Sequence, residues 1–296
     1  MDNFDYAAPT SLDEAVGLLS SRQDRVRFLA GGTDIIVQLR EGGREADLVL
    51  DLKKIPELMK VSWTKDGGLV LGAAVPCHLI YGDERISTSY PALADATRII
   101  GGWQIQGRAS VGGNLCNSSP AADSIPAMIA CQATCHIVGS GGRRSVPVEE
   151  FCTAPGKNVL EDGEFLASLE FPPPSRGGGS HYLRFIPRNE MDIAVVGSGA
   201  WLRLDSSGEK IEEARIGLAA VAPRPLFAND AAASLVGKEP TEENFTQAGE
   251  LAKKIATPIS DMRGPADYRV HLVGVLTRRA LTRAAERAKA SLNGKS

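Results

Sequence analysis

Two glycine pairs hold the densest chemistry in the sequence. The first lies in Leu29-Ala30-Gly31-Gly32-Thr33-Asp34-Ile35-Ile36, at the end of an apolar, strand-like run. The second lies in Ser110-Val111-Gly112-Gly113-Asn114, followed by Asn117, Ser118, Ser119 and Asp123. A glycine lacks the Cβ that would hold a ligand away from the backbone, and it tolerates positive φ. Successive N–H groups at such a turn, or at the start of a following helix, attract an anion. Two such turns in one chain point to a long ligand with a diphosphate at its middle, and a dinucleotide such as FAD fits. The short polar side chains around the second pair suit a sugar-alcohol chain, whose hydroxyls need donors and acceptors together. The plainer alternative is a pair of ordinary turns in a chain that has 31 glycines.

Other chemistry is thinly represented. His78, His136, His181 and His271 are isolated from one another and read as structural. The five cysteines, at 77, 116, 131, 135 and 152, are odd in number and include no CxxC, as expected of free thiols in a reducing compartment. Cys131 and Cys135 are spaced to share a helix face and, with Cys116 or Cys152, could hold a metal. Metal sites favour tighter pairing, so buried small hydrophobes are the better reading. No catalytic triad, metal centre or proton-transfer pair emerges. A nicotinamide-binding Rossmann unit is a competing reading of residues 26–51, which run strand, glycine turn, helix, then strand ending in Asp51. The G-x-G-x-x-G fingerprint is absent, and residues 108–123 would be left without a role.

These residues must be positioned by a chain of 296 residues, long enough for more than one domain. Hydrophobic residues are 43% and charged residues 23%, an ordinary globular balance. A net charge of −3 gives no basic face for nucleic acid. No apolar run approaches the roughly 20 residues of a membrane span. The acidic start, Met1 to Tyr6, does not resemble a signal peptide, and the expected location is cytoplasmic.

Ser11 and Glu14 form a capping box for a helix through Leu12, Ala15, Val16 and Leu19. Residues 26–30 read as a strand, Thr33-Asp34 as a cap for a short helix 35–39, residues 47–52 as a strand and 55–59 as a helical turn. A strand is expected at 69–73, helices at 77–81, 91–100 and 122–130, and strands at 136–138 and 165–171. Pro126 falls in the first turn of its helix, where a missing N–H is harmless. Pro172-Pro173-Pro174-Ser175-Arg176-Gly177-Gly178-Gly179-Ser180 reads as a linker without regular structure. Strands at 193–204 and 214–221 and helices at 229–236, 241–256 and 267–290 follow, with no internal repeat.

The two glycine motifs in this order, with Ser119-Pro120-Ala121-Ala122-Asp123 after the second, resemble the FAD-binding medium subunit of molybdenum hydroxylases, the xanthine dehydrogenase and carbon monoxide dehydrogenase family. Tyr182 to Ala194 resembles the start of that family's C-terminal domain, and Gly264-Pro265-Ala266-Asp267-Tyr268-Arg269 its final-helix entry. The resemblance implies an α+β protein: a PCMH/VAO-type FAD-binding domain over 1–175, in subdomains of about 1–60 and 61–175, then a carbon monoxide dehydrogenase flavoprotein-like C-terminal α+β domain over 176–296. It implies non-covalent FAD, with Leu29 to Ile36 around the diphosphate and ribose, and Ser110 to Asn114 as the second wall. Asn117 and Ser119 belong to the same polar stretch, Asp123 matches an acid that hydrogen-bonds the cofactor, and Ile100 and Ile193 match positions lying against it. Arg188 and Asp192 read first as a structural pair. The partners implied are a large molybdopterin subunit and a small [2Fe–2S] subunit, as a dimer of heterotrimers, plus an external electron acceptor. Thr33-Asp34 stands where carbon monoxide dehydrogenases often carry His-Ser, which weakens that particular assignment. A self-sufficient flavin oxidase and a non-enzymatic nucleotide-binding module are the competing classes.

Overall fold

The computed structural model describes residues 3–21 and 25–294; Met1 and Asp2 of the acidic start lie outside them. Three sheets organise the chain. The first is small and wholly parallel, with Leu48–Asp51 between Asp5–Ala7 and Val26–Leu29. All four residues of its central strand are buried, as expected for a parallel strand covered on both faces. The helix Leu12–Ser20 packs Leu12, Ala15 and Leu19 inward. Ser11 Oγ accepts from the Glu14 N–H, but the Glu14 carboxylate takes its bonds from Thr10 N–H and hydroxyl, so the reciprocal half of the cap sits one residue earlier than expected.

The second sheet is antiparallel, ordered Val61–Trp63, Leu69–Gly72, Phe165–Phe171, Thr134–Gly139 and Gly142–Pro147. Between Gly72 and Thr134 the chain makes a run of short helices whose apolar sides build the largest core with this sheet. The third sheet, also antiparallel, runs Gly178–Phe185, Val196–Leu204, Ile211–Ala219 and Leu226–Phe227. Its faces are divided between two helices. Ser198 Oγ lies 3.3 Å from Thr277 Oγ1 on the 27-residue helix Ala266–Leu292. On the other face, Gly199 and Gly217 sit opposite each other in register, and a Cβ on either would collide with Pro126 of the helix Ser124–Ala130. That helix is therefore held between the second and third sheets, with every residue buried.

Several expectations are corrected. The triple-proline stretch is not irregular to Ser180, because Gly178, Gly179 and Ser180 already belong to a strand. A Cβ on Gly179 would overlap the backbone of the long helix at Ala284 and Ala288, so its bare backbone is a packing surface. Cys131 and Cys135 do not share a helix: Cys131 is the C-cap of Ser124–Ala130, Gln132 turns the chain at φ +57°, and Cys135 lies in a strand. Asp34 precedes the helix Ile35–Arg40, but its carboxylate does not cap it. The expected strand at 193–204 begins at Val196, and the helix at 91–100 stops at Thr97.

Candidate functional site

The two glycine turns meet. The Arg108 Nε–H donates to the Gly31 carbonyl at 3.1 Å, and a Cβ on Gly31 would overlap the Arg108 carbonyl. A Cβ on Gly113 would stand 3.8 Å from the Ala30 methyl and 3.1 Å from Ser110 Oγ. A few residues on, the Gln38 amide donates to Asn117 Oδ1 at 3.3 Å, tying the helix behind the first turn to the end of the helix behind the second.

Local structure explains how each turn keeps its shape. Val26–Leu29 delivers the chain to Ala30, and Gly32 then turns it at φ +82°, a conformation that a side chain would strain. The second pair is not a loop, as a wall of polar residues would imply, but the first turn of the helix Val111–Cys116. Ser110 caps it by accepting from the Gly113 N–H. Gly112 presses on Ala73 with no room for a Cβ, which holds the helix against the end of the second sheet. Among the described residues, the backbone N–H groups of Gly31, Gly32, Thr33, Asp34 and Gly112 donate to no acceptor in the chain. Buried or half-buried backbone donors without protein partners are rare, and a row of them marks a place for an anion or ordered water.

The turns open on a cleft of about 830 Å³, well inside the roughly 300–1,000 Å³ of small-molecule sites. Of the residues singled out from sequence, Ala30, Gly31, Gly32, Thr33, Asp34, Ile35, Ile100, Ser110, Gly112, Gly113, Asn114 and Asn117 line it. Leu29, Ile36, Val111, Ser119, Asp123 and Ile193 do not. Leu29 and Val111 are buried behind the walls, whereas Ile36 and Ile193 are 47% and 53% exposed. Asp34 keeps a water-accessible side chain, while the neighbouring walls desolvate its carboxyl enough to raise its pKa.

Asp123 is engaged elsewhere. Its Oδ1 accepts from the Tyr182 hydroxyl at 2.7 Å and its Oδ2 from Arg184 Nη1 at 2.6 Å, both on the third sheet. Burial pushes its carboxyl up to about 6, against the pull of the Arg184 charge and both hydrogen bonds. Arg188 and Asp192 do pair, at 3.7 Å, and Asp192 also meets Arg263 at 3.3 Å.

Sequence reasoning missed one whole end of the cleft. Arg25, Arg27 and Arg44 line it, facing a far wall supplied by residues 160–166. Arg25 precedes the strand and Ala30 follows it, so the cleft extends along that strand's length. Arg25 is paired with Glu45 and Asp47. Burial, with Arg44 and Arg25 nearby, lowers the pKa of Arg27. Arg44 forms no ion pair among the described residues. The alternation of Arg25 and Arg27 about a strand was the only signal in the sequence. Cys77, Cys131, Cys135 and Cys152 are buried free thiols and Cys116 is half-buried, and among the described residues no group of three His, Cys, Asp or Glu side chains is placed to hold a metal.

Comparison with known proteins fits this geometry. A family model described as the FAD binding domain in molybdopterin dehydrogenase matches residues 2–174, and one described as the CO dehydrogenase flavoprotein C-terminal domain matches residues 181–284. The chain belongs to the FAD-binding medium subunits of the molybdenum hydroxylases. The carbon monoxide dehydrogenase medium chain of Afipia carboxidovorans is 32% identical over 288 residues, 97% of this chain and 98% of that one. A putative xanthine dehydrogenase FAD-binding subunit from Escherichia coli is 30% identical over 285 residues, 95% of this chain and 97% of its own. The solved structure of a Cu,Mo-CO dehydrogenase in its cyanide-inactivated form superposes with a TM-score of 0.91 at 31% identity, over 96% of this chain and 98% of that one. This medium subunit is thus a FAD-binding oxidoreductase subunit of mixed α+β fold. No helix among its described residues is long and apolar enough to cross a membrane.

Proposed function

We propose that this subunit holds FAD non-covalently in the cleft and passes electrons from a partner's iron–sulfur clusters to an external acceptor. The observation that carries the reading is the contact between the two glycine turns, which leaves a row of unpartnered N–H groups where two backbones converge. A diphosphate would satisfy those donors without bringing in a counter-charge, because helix starts and backbone turns carry partial positive charge. Ser110 sits beside them as an acceptor for ribityl hydroxyls, while Asn114, whose Oδ1 already accepts from Ser124 Oγ at 2.7 Å and from the Ser124 N–H at 3.4 Å, offers its side-chain N–H groups as donors. At the far end of the cleft Arg44, which forms no ion pair among the described residues, offers guanidinium donors to the nucleotide half of the ligand, beside Arg27 and a wall that also carries Glu161, Asp162 and Glu164. When bound, FAD supplies the redox chemistry, and the protein supplies position and hydrogen bonds that set its potential.

The relatives named above are medium chains and FAD-binding subunits, which supports further subunits as partners; in this reading they are a large molybdopterin subunit and a small [2Fe–2S] subunit, joined as a dimer of heterotrimers. The exposed Trp103, 84% accessible and three residues beyond the cleft-lining Ile100, offers an apolar contact for such a partner. Gly113→Val tests the cradle: a branched side chain would crowd Ser110 Oγ and face Ala30, and flavin content after purification should fall well below wild type. Wild-type flavin stoichiometry in that variant would remove the glycine turns from the binding site. Reduction of the isolated subunit's flavin by a simple alcohol or aldehyde would instead support a self-sufficient oxidase.

A further inference from the structure

A second cavity, of about 460 Å³, opens on the seam between the helices of residues 84–132 and the third sheet, and shares no lining residue with the cleft. Its charge is one-sided. Arg176, Arg215 and Arg287 line it and no Asp or Glu does. Two of these arginines are held from behind. Arg287 donates through both terminal nitrogens to Asp95, and Arg215 gives Nε to the Ile129 carbonyl and Nη2 to Glu149. Arg176 meets only the Leu292 carbonyl, at 3.5 Å. Among the described residues this leaves Arg215 Nη1, Arg287 Nε, and Arg176 Nε and Nη1 without acceptors, together with the indole N–H of Trp201. Prolines 172–174, Tyr90 and Trp201 provide flat apolar surface beside these donors.

We propose that this cavity is a second ligand site, for a small aromatic oxyanion: its anionic group takes the unused guanidinium donors and its ring lies on the proline and indole surface. Arginine is suited to both halves of the task, since its planar fork binds oxyanions and stacks on rings. A pocket with unused guanidinium donors and no carboxylate in its lining favours an anion over a neutral analogue, which would leave those donors without a charged acceptor. Residues from both sides of the seam line the cavity, so an occupant would bind only the assembled chain and raise its unfolding midpoint by mass action.

The test is calorimetric titration of the full chain, with FAD added in excess to fill the cleft. The probes are 2-naphthoate, 2-naphthyl phosphate and 2-naphthylmethanol. At least one anion should bind with a Kd below about 1 mM and at least about tenfold more tightly than the alcohol; which anion wins separates a carboxylate from a phosphate ligand. Ala290→Trp, which fills the cavity, should abolish the heat of binding. Arg176→Gln, on an exposed side chain that the fold does not need, should weaken binding about threefold or more. The proposal is overturned if neither anion binds at that concentration, if the alcohol binds as well as they do, or if Arg176→Gln leaves the affinity unchanged.

Discussion

Glycine does two different jobs in this molecule. At the cleft, Gly31 and Gly113 let two backbones converge while their neighbours' N–H groups are left without partners. At the seam, Gly199 and Gly217 also let backbones converge, but there both residues sit within a fully paired ladder and their flatness admits the helix Ser124–Ala130. Close approach is common to both. What differs is whether the peptide groups at the contact are already satisfied. Satisfied groups make a structural joint, and unsatisfied ones make a place for a polar guest.

This contrast can be broken from either side. Gly217→Val should be the most damaging change, since the new side chain would meet the Pro126 backbone and Ile129, neither of which can yield. The expected loss is about 3 kcal/mol or more, at the upper end of overpacking, seen as a lowered unfolding midpoint with flavin present or absent. Gly31→Ala should act mainly on the ligand. Parting the first turn from Arg108 by the width of a methyl should weaken flavin binding about ten- to hundredfold, if the strain is of the order of 1–3 kcal/mol. Equal effects of the two changes on apo-protein stability would mean that Gly31 is as structural as Gly217.

The seam has its own pH signature. Burial alone would raise the Asp95 carboxyl, but hydrogen bonds from His181 and Arg287 outweigh it and hold the pKa at about 2. A carboxyl depressed in the folded state contributes stability above its unfolded value near 4, and that contribution is lost as pH falls from about 4 toward 2. Its size is about 2 kcal/mol, and Asp95→Asn should flatten the acid limb of stability against pH by that amount. An unchanged acid limb would show that the Asp95 pairing does not govern acid stability. Gly113→Ala should have the smallest effect. Its methyl needs only a few tenths of an ångström from Ser110 Oγ, and alanine favours the helix by about 1 kcal/mol, so apo stability should stay within about 1 kcal/mol while flavin binding weakens a few-fold.

Much of the cleft was legible because its signals are local. Gly-Gly after an apolar run, and Ser110 three residues before Gly113, each describe a turn or cap within one short window of sequence. The contact between the turns was legible only indirectly, from the likeness of the two motifs and the family resemblance, since Arg108 and Gly31 are 77 positions apart. Asp123 shows the limit. Its motif marks it as a polar residue near a helix start, but its two partners arrive from Tyr182 and Arg184, roughly sixty residues later. The Gly178 strand was hidden for a related reason. Three glycines after three prolines look like a flexible joint until a helix from the far end of the chain lies against them.

The placement of the helix Ser124–Ala130 also bears on how the polypeptide could be divided. A fragment ending near residue 175 would carry this segment with its sheet-facing side stripped to solvent, along with a buried carboxylate deprived of its arginine. Such a fragment should clump or melt rather than serve as a free-standing flavin carrier, because the cover for that helix and the counter-charge for that carboxylate both come from the C-terminal part of the chain.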